Sequence, residues 1–68
     1  MSSRRPVKAA LTAREREVAA AMMEGSTSKE IGRILAISHR TVEIYRARLM
    51  RKYGAATSAE LVHKLTAR

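Results

Sequence analysis

Four stretches of the chain repeat apolar residues at the spacing of an α-helix, and short polar segments separate them. The predicted helices cover residues 13 to about 24, about 28–35, 39–53 and 58 to about 66. No stretch of useful length alternates apolar and polar residues, which is the pattern of a half-buried strand. The pattern therefore predicts an all-α fold of four helices with short connections.

Three of the four helix starts carry the sequence of a capping box, in which a glutamate follows a threonine three residues later. They are Thr12-Ala-Arg-Glu15, Thr27-Ser-Lys-Glu30 and Thr57-Ser-Ala-Glu60. In such a box the threonine hydroxyl accepts from the glutamate N–H, and the glutamate side chain accepts from the threonine N–H. Ser38 is the expected cap of the third helix, and Gly25 and Gly54 supply stops after the first and third helices.

Gly32 lies inside the second predicted helix, where a glycine costs about 1 kcal/mol relative to alanine. Two helices that cross steeply over a short turn need a side chain of minimal size where they approach. We therefore expect Gly32 to face the third helix, and a larger residue such as leucine to push the two helices apart. The inner apolar stripes are Ile31 and Leu35 on the second helix, and Val42, Tyr45 and Leu49 on the third.

The charge of the chain indicates a polyanionic partner. Its 68 residues include 14 Lys and Arg against 6 acidic residues, for a formal net charge of +8. Half of this excess lies in the predicted third helix, where five basic residues accompany Glu43 as the single acid. We expect double-stranded DNA as the partner, because a basic helix of this size fits the major groove.

The residue inventory argues against several other kinds of site. With no cysteine and only two histidines, His39 and His63, the chain has no disulfide, zinc-ligand pattern or thiol nucleophile, so no metal and no cofactor is expected. No apolar run is long enough for a membrane span, and residues 1–10 lack the apolar centre of a signal peptide, which favours the cytoplasm. Residues 1–10 are interpreted as a flexible basic arm or linker before a DNA-binding domain, residues 11–68.

The outer face of the third predicted helix is the natural groove face, with Glu43, Ile44, Ala47 and Arg40 as the candidates for reading bases. A glutamate among DNA phosphates is repelled unless it accepts a hydrogen bond, and the N4 amino group of cytosine is a suitable donor. The alternative for Glu43 is an ion pair within the helix, with Arg46 or Arg40, and both interpretations stay open. Ile44 and Ala47 could contact thymine methyl groups or let the helix lie close.

Other polar residues at helix starts and along the third helix are candidates for phosphate contacts. The start of the second helix offers free N–H groups beside two hydroxyls and a lysine, which is a phosphate-binding combination. The full set is Thr27, Ser28, Lys29, Thr41, Arg46, Arg48, Arg51 and Lys52.

Several motifs between residues 11 and 66 occur together in one known family. They are Leu11-Thr-x-Arg-Glu-x-Glu-Val18, Gly25-x-x-x-Lys-Glu-Ile31, Leu35-x-Ile-Ser38, Thr41-Val-Glu43 with Arg46, Gly54-Ala55 and Glu60-Leu-Val62. The chain resembles the LuxR/FixJ-type (also called NarL-type) helix-turn-helix DNA-binding domain of bacterial transcriptional regulators. The segment from Arg40 to Arg46 is similar to the FixJ branch, in which glutamate follows Thr-Val.

The resemblance implies a four-helix LuxR-type bundle whose third helix enters the major groove. It also implies a homodimer on DNA through the fourth helix, where Leu61 and Leu65 face either the first helix or a second protomer. Family members usually carry an N-terminal regulatory domain, so the chain is either a stand-alone effector or the excised effector domain of a response regulator. The implied base contacts are Glu43, Ile44 and Ala47, and the implied backbone contacts are Lys29, Thr41 and Lys52.

Four residues depart from the family pattern and are expected to reshape its core. Gly32 stands where alanine is usual, Tyr45 where histidine is usual, Tyr53 where leucine or methionine is usual, and Ala19 where leucine is common.

Three other interpretations compete with the LuxR-type one. Promoter-recognition region 4 of a sigma factor also shows Thr-x-Arg-Glu, Glu-Ile-Gly and a basic third helix, but it tends to end soon after that helix. A basic protein on an anionic membrane is disfavoured, because the third helix has no Trp or Phe and an interrupted apolar stripe. An enzyme is disfavoured because the chain has no cysteine and only two histidines, as noted above for metal and thiol sites.

Overall fold

The computed structural model describes residues 10–67, and within this range the chain forms four α-helices and no strand. The helices are α1 (Ala13–Met23), α2 (Ser28–Leu35), α3 (His39–Tyr53) and α4 (Ser58–Thr66). The predicted all-α fold is confirmed, and the predicted helix bounds agree to within a residue or so. Apart from Ala10, the predicted basic arm lies outside the described residues. Residues 10–67 contain no helix that is both long and apolar enough to cross a bilayer.

Two complete capping boxes begin α1 and α2, as the sequence predicts. At α1 the Thr12 N–H donates to Glu15 Oε1 over 2.9 Å, and the Glu15 N–H donates to Thr12 Oγ1 over 3.1 Å. At α2 the Thr27 N–H donates to Glu30 Oε1 over 2.8 Å, and the Glu30 N–H donates to Thr27 Oγ1 over 3.1 Å. Each box satisfies two backbone groups that the first helical turn leaves without a partner.

The starts of α3 and α4 are capped by single side chains. Ser38 Oγ accepts from the Thr41 N–H over 3.0 Å, as expected. Thr57 Oγ1 accepts from the Glu60 N–H over 3.1 Å, but the third capping box is incomplete. The Glu60 side chain accepts from the Ala56 N–H over 2.9 Å instead of from Thr57. Thr57 is also more extended, with φ of −135°, than the threonine caps of the two complete boxes.

A tight turn places α2 across α3 and depends on two small residues. A β-carbon at Gly32 would lie 2.8 Å from the carbonyl oxygen of Ile37, which is closer than real contacts allow. The expectation that Gly32 permits the close approach is therefore confirmed. Ala36 ends α2 in the left-handed conformation, with φ of 59°, and frees the chain to turn toward Ser38.

One apolar core joins the four helices. Helix α4 contributes Leu61, which is fully buried. Ile31 of α2 and Val42 and Leu49 of α3 are fully buried as well. Leu35 and Tyr45 pack against this core but are only partly buried. The buried apolar residues are Val18, Ala19, Ala21, Met22, Ile31, Val42, Leu49 and Leu61.

Candidate nucleic-acid interface

Helix α3 presents two faces of opposite character. Val42 and Leu49 are fully buried in the core. The opposite side is exposed to solvent, and we call it the reading face. It consists of Arg40, Glu43, Ile44, Ala47 and Arg51. The structure thus brings the four predicted base-reading residues together, with Arg51, on one exposed helix surface.

The centre of the reading face is apolar. Ile44 is 47% exposed, and Ala47 follows it at the next position on the same side. Neither side chain has a polar group that must be desolvated when a ligand surface approaches. An apolar side chain in this position can contact a thymine methyl group in the major groove.

Glu43 combines the two interpretations that its sequence position leaves open. Its Oε2 lies 3.4 Å from Arg46 Nη1 and 3.6 Å from His39 Nε2, so the pair with Arg46 is present. No corresponding pair with Arg40 occurs among residues 10–67. The Glu43 side chain is nevertheless 49% exposed, so the carboxylate remains accessible as a hydrogen-bond acceptor.

Four basic side chains around the reading face are exposed and form no ion pair within the described range. Three of them lie on α3 and the fourth lies in the first turn of α2. The Arg48 guanidinium lies 5.4 Å from the centre of the Tyr45 ring, which orients it toward one side of α3. The four are Lys29, Arg40, Arg48 and Arg51. Their charges are available to a polyanion.

Arg46 has partners inside the protein. Its Nη1 donates to Ser28 Oγ on α2, and its Nη2 donates to Ser58 Oγ on α4. The side chain is only 22% exposed, and its Nε has no partner within residues 10–67. The guanidinium therefore lies between three helices rather than on the outer surface.

Lys52 also has internal partners. Its Nζ donates to Glu15 Oε1 over 2.7 Å and to the Ala10 carbonyl over 3.2 Å. Glu15 is only 2% exposed. The hydrogen bond from Lys52, and then that from the Thr12 N–H, hold the pKa of the Glu15 carboxyl below its ordinary value of 4.5, against the opposing effect of burial. This partly buried pair ties α1 to the last turn of α3.

The three predicted hydroxyl contacts differ in their accessibility. Thr27 is exposed at the start of α2, and its hydroxyl accepts from Glu30. Thr41 is partly buried, with its Oγ1 2.9 Å from Ser38 Oγ. Ser28 is only 5% exposed and accepts from Arg46, so its hydroxyl faces the protein interior.

The two leucines assigned to a dimer surface lie in different environments. Leu61 is fully buried in the core, which decides in favour of the intramolecular alternative for this residue. Leu65 is partly buried and packs against the edge of the core, as does Val62. Val62 and Leu65 are therefore the larger apolar side chains of α4 that remain accessible.

Sequence reasoning did not identify Ser58 or Glu15 as partners of basic residues on α3. Ser58 is 12 residues from Arg46 in the chain, and Glu15 is 37 residues from Lys52. Local periodicity and capping patterns carry no signal for contacts over such distances, because these contacts depend on how the helices pack.

Comparison with known proteins assigns the family. Residues 9–65 match the profile of the bacterial regulatory proteins of the luxR family. The chain is 48% identical over 54 residues to the transcriptional regulatory protein FixJ of Azorhizobium caulinodans, a match that covers 79% of this chain and 26% of FixJ. It is 42% identical over 55 residues to TdiR of Thauera aromatica and to UhpA of Salmonella typhimurium, each match covering 81% of this chain.

The chain spans about a quarter of the length of these relatives, at 24% of TdiR and 28% of UhpA. No solved structure matches it at a significant level. The match over most of the chain settles the choice between the LuxR-type and sigma-factor interpretations. The chain belongs to the luxR family of bacterial regulatory proteins, whose members bind DNA to regulate transcription and are not enzymes.

Proposed function

We propose that the chain is the sequence-specific DNA-binding domain of a transcriptional regulator and that α3 lies in the major groove of B-DNA. The observation that carries the proposal is the reading face, an exposed surface with an apolar centre and arginines at both ends. α3 has 15 residues. A helix of that length is about 22 Å long, enough to cross a groove about 12 Å wide. As a regulator of bacterial type, the protein acts in the cytoplasm.

Bases are read from the middle of the reading face. Glu43 accepts a hydrogen bond from a cytosine amino group, and its pair with Arg46 holds the carboxylate in place before DNA binds. Ile44 and Ala47 contact thymine methyl groups. Arg40 reaches a base edge or the adjacent phosphate, since it lies at the end of the face where the helix enters the groove.

Phosphates are contacted by exposed groups on both sides of the groove. Arg48 and Arg51 follow one strand from α3, while Lys29 and Thr27 meet the other at the start of α2. Thr41 adds a hydroxyl in the first turn of α3. The Ser28 side chain faces inward, so at this residue we assign only the backbone N–H to phosphate.

The domain acts as a homodimer on DNA, with α4 of one protomer against α4 of the other. Val62 and Leu65 supply the apolar surface, because Leu61 is already buried within its own protomer. A two-fold symmetric dimer reads two half-sites whose centres lie about 10 bp apart, or a multiple of this spacing. The chain spans about a quarter of its relatives' length, and if it belongs to a regulator of that length, an N-terminal regulatory domain would control this association.

Selection of bound sequences from a pool of random duplexes tests the proposal. The 68-residue chain should enrich one sequence motif. Its affinity should fall steeply as the salt concentration rises: the slope of log affinity against log salt concentration (the salt slope) is about −0.9 for each phosphate contact. Light scattering on the enriched duplex should give two chains per site. Enrichment of no motif would overturn sequence-specific binding. A single chain on a site without internal symmetry would overturn the dimer alone.

The same protein preparation tests whether the partner of the chain is DNA or an anionic membrane. Flotation with phosphatidylserine vesicles at physiological salt should leave the chain in the unbound fraction, while the enriched duplex retards it in a gel-shift assay. Strong flotation without a gel shift would reverse the assignment.

A further inference from the structure

Arg46 lies at the point where three helices meet. Its two terminal nitrogens donate in different directions, one to Ser28 on α2 and the other to Ser58 on α4. The first of these nitrogens also lies 3.4 Å from Glu43 Oε2 on its own helix. The Arg46 side chain as a whole is only 22% exposed and its Nε is buried, so little of it is accessible to a phosphate on the surface.

The two serines occupy equivalent positions. Each is the first residue of its helix and follows a threonine cap, so Arg46 bridges the N-terminal ends of α2 and α4. Helix N-termini carry partial positive charge and do not attract a cation. The arginine is therefore held by the hydroxyl oxygens and by Glu43, which act as the acceptors.

The bridge requires the shape of arginine. A guanidinium is planar and presents donors in a fixed fork, whereas a lysine ammonium is a single compact charge on a flexible stem. A lysine at position 46 would keep the charge, but its single nitrogen lacks the two separated donors with which the guanidinium meets hydroxyls on α2 and α4. The substitution Arg46→Lys therefore keeps the positive charge but removes the bridge between α2 and α4.

The bridge bears directly on the reading face. Arg46 is adjacent to Ala47 and one helical turn from Glu43, so its anchoring to α2 and α4 restrains the rotation of α3 beside the reading face, in addition to the buried Val42 and Leu49. Base contacts depend on that rotation, since hydrogen bonds weaken steeply with misalignment. Contacts with phosphates tolerate more displacement, because a Coulomb attraction is less directional.

We propose that Arg46 is a positioning residue for sequence discrimination and not a phosphate contact. It sets the orientation of α3 relative to α2 and α4 through Ser28 and Ser58. The inference rests on the proposed function and revises the phosphate role expected for this residue from the sequence.

Five variants of the 68-residue chain test the inference. They are the single substitutions Arg46→Ala, Arg46→Lys and Ser58→Ala, the double substitution of Arg46→Ala with Ser58→Ala and, as the control, Arg51→Ala. Each is titrated with the duplex that the wild-type chain selects and with a mixed-sequence duplex of the same length, over a range of salt concentrations. Circular dichroism fixes a temperature at which every variant is folded. A difference in affinity then reflects binding and not the loss of folded protein.

Arg46→Ala and Arg46→Lys should both lower affinity for the selected duplex by about tenfold or more, the size of a lost base contact. Their affinity for the mixed duplex and their salt dependence should match the wild type. Ser58→Ala should show the same pattern to a smaller degree, and adding it to Arg46→Ala should cause no further loss. Arg51→Ala should weaken both duplexes and reduce the salt slope by about 0.9.

Three results would overturn the inference. One is retention of wild-type affinity by Arg46→Lys together with a reduced salt slope in Arg46→Ala, which is the behaviour of a phosphate contact. Another is wild-type affinity for both duplexes in all folded Arg46 variants, which is the behaviour of a residue needed only for stability. A wild-type chain with no preference for any duplex would overturn the proposed function itself, and this inference with it.

Discussion

Ala36 ends α2 in the left-handed backbone conformation, which is unfavourable for any residue with a β-carbon. Its φ of 59° is the only positive value at a residue other than glycine within residues 10–67. The left-handed conformation costs an ordinary residue about 1–2 kcal/mol. Only part of that is offset by the smaller unfolded-state entropy of alanine relative to glycine.

We expect Ala36→Gly to raise the free energy of unfolding by about 1 kcal/mol, because glycine adopts this conformation without strain. Thermal unfolding should shift upward by about 4–8 °C for a domain of this size. Ala20→Gly is the matched control, since Ala20 is exposed within α1 and glycine there should destabilise by about 0.5–1 kcal/mol. Destabilisation by both substitutions would contradict the strain assigned to Ala36.

The pair of the buried Glu15 and the partly buried Lys52 makes the stability of the fold depend on pH. Because Lys52 lowers the pKa of Glu15 in the folded state, the unfolded chain binds a proton more readily. The contribution is complete above the ordinary pKa of 4.5 and is lost as the pH falls through the lower pKa of the folded state. Acid should therefore destabilise the protein from about pH 4.5 downward.

Glu15→Gln should lower stability at pH 7 and remove this part of the acid dependence, as measured by urea unfolding at several pH values. Glu30→Gln is the control, since Glu30 occupies the same place in a capping box but is exposed and has no ion-pair partner among residues 10–67. A curve for Glu15→Gln that is parallel to the wild-type curve below pH 5 would contradict the role of the pair.

At the scale of elements, the crossing of α2 over α3 depends on the absence of a side chain at Gly32. Gly32→Leu should destabilise the fold by about 1–3 kcal/mol, because even a β-carbon would lie 2.8 Å from a backbone oxygen that cannot move freely. Arg33→Leu, at the next and exposed position of α2, should change stability by no more than about 0.5 kcal/mol. Equal effects of the two substitutions in urea unfolding would show that α2 and α3 are not in close contact at Gly32.

The helices were predictable because their signals are local. Capping threonines, terminal glycines and apolar spacing place each helix to within a residue or so, and the glycine inside α2 reveals the close approach to α3. The exception is the start of α4, where Glu60 accepts from Ala56 and not from Thr57. The local sequence is the same type of box, but the backbone at Thr57 differs, with φ of −135° against −72° and −78° at the other two threonines.

The partners of Arg46 and Lys52 could not be predicted in the same way. As isolated residues of a basic helix, both indicate phosphate contacts, and the family resemblance implies the same for Lys52. Their internal acceptors become apparent only when α1, α2 and α4 are packed around α3. For the exposed cations of α3, charge and helical position were sufficient to place the side chains on the outer surface.

At the scale of the whole molecule, four helices share one small core, so a single cavity affects all of them. Leu49→Ala should cost about 2–5 kcal/mol, since this side chain is fully buried at the centre of the core. For so small a domain this is a large part of the total stability. Ile44→Ala on the same helix should leave thermal unfolding nearly unchanged, because that side chain is 47% exposed.

Comparison of Leu49→Ala with Ile44→Ala distinguishes a residue needed for folding from one needed for DNA binding. Ile44→Ala should remain folded and lose preference for the selected duplex, whereas Leu49→Ala should lose both structure and binding. A large loss of stability in Ile44→Ala would show that the reading face belongs to the core.

Titration of the isotope-labelled chain with its selected duplex, followed by NMR, tests most directly whether α3 lies in the major groove. The largest shifts should fall on the amides of Glu43 and Ile44 and on the methyl groups of Ile44 and Ala47, with smaller shifts at the start of α2. If those signals remain in place while residues of α1 or α4 respond, the helix that reads DNA has been assigned wrongly.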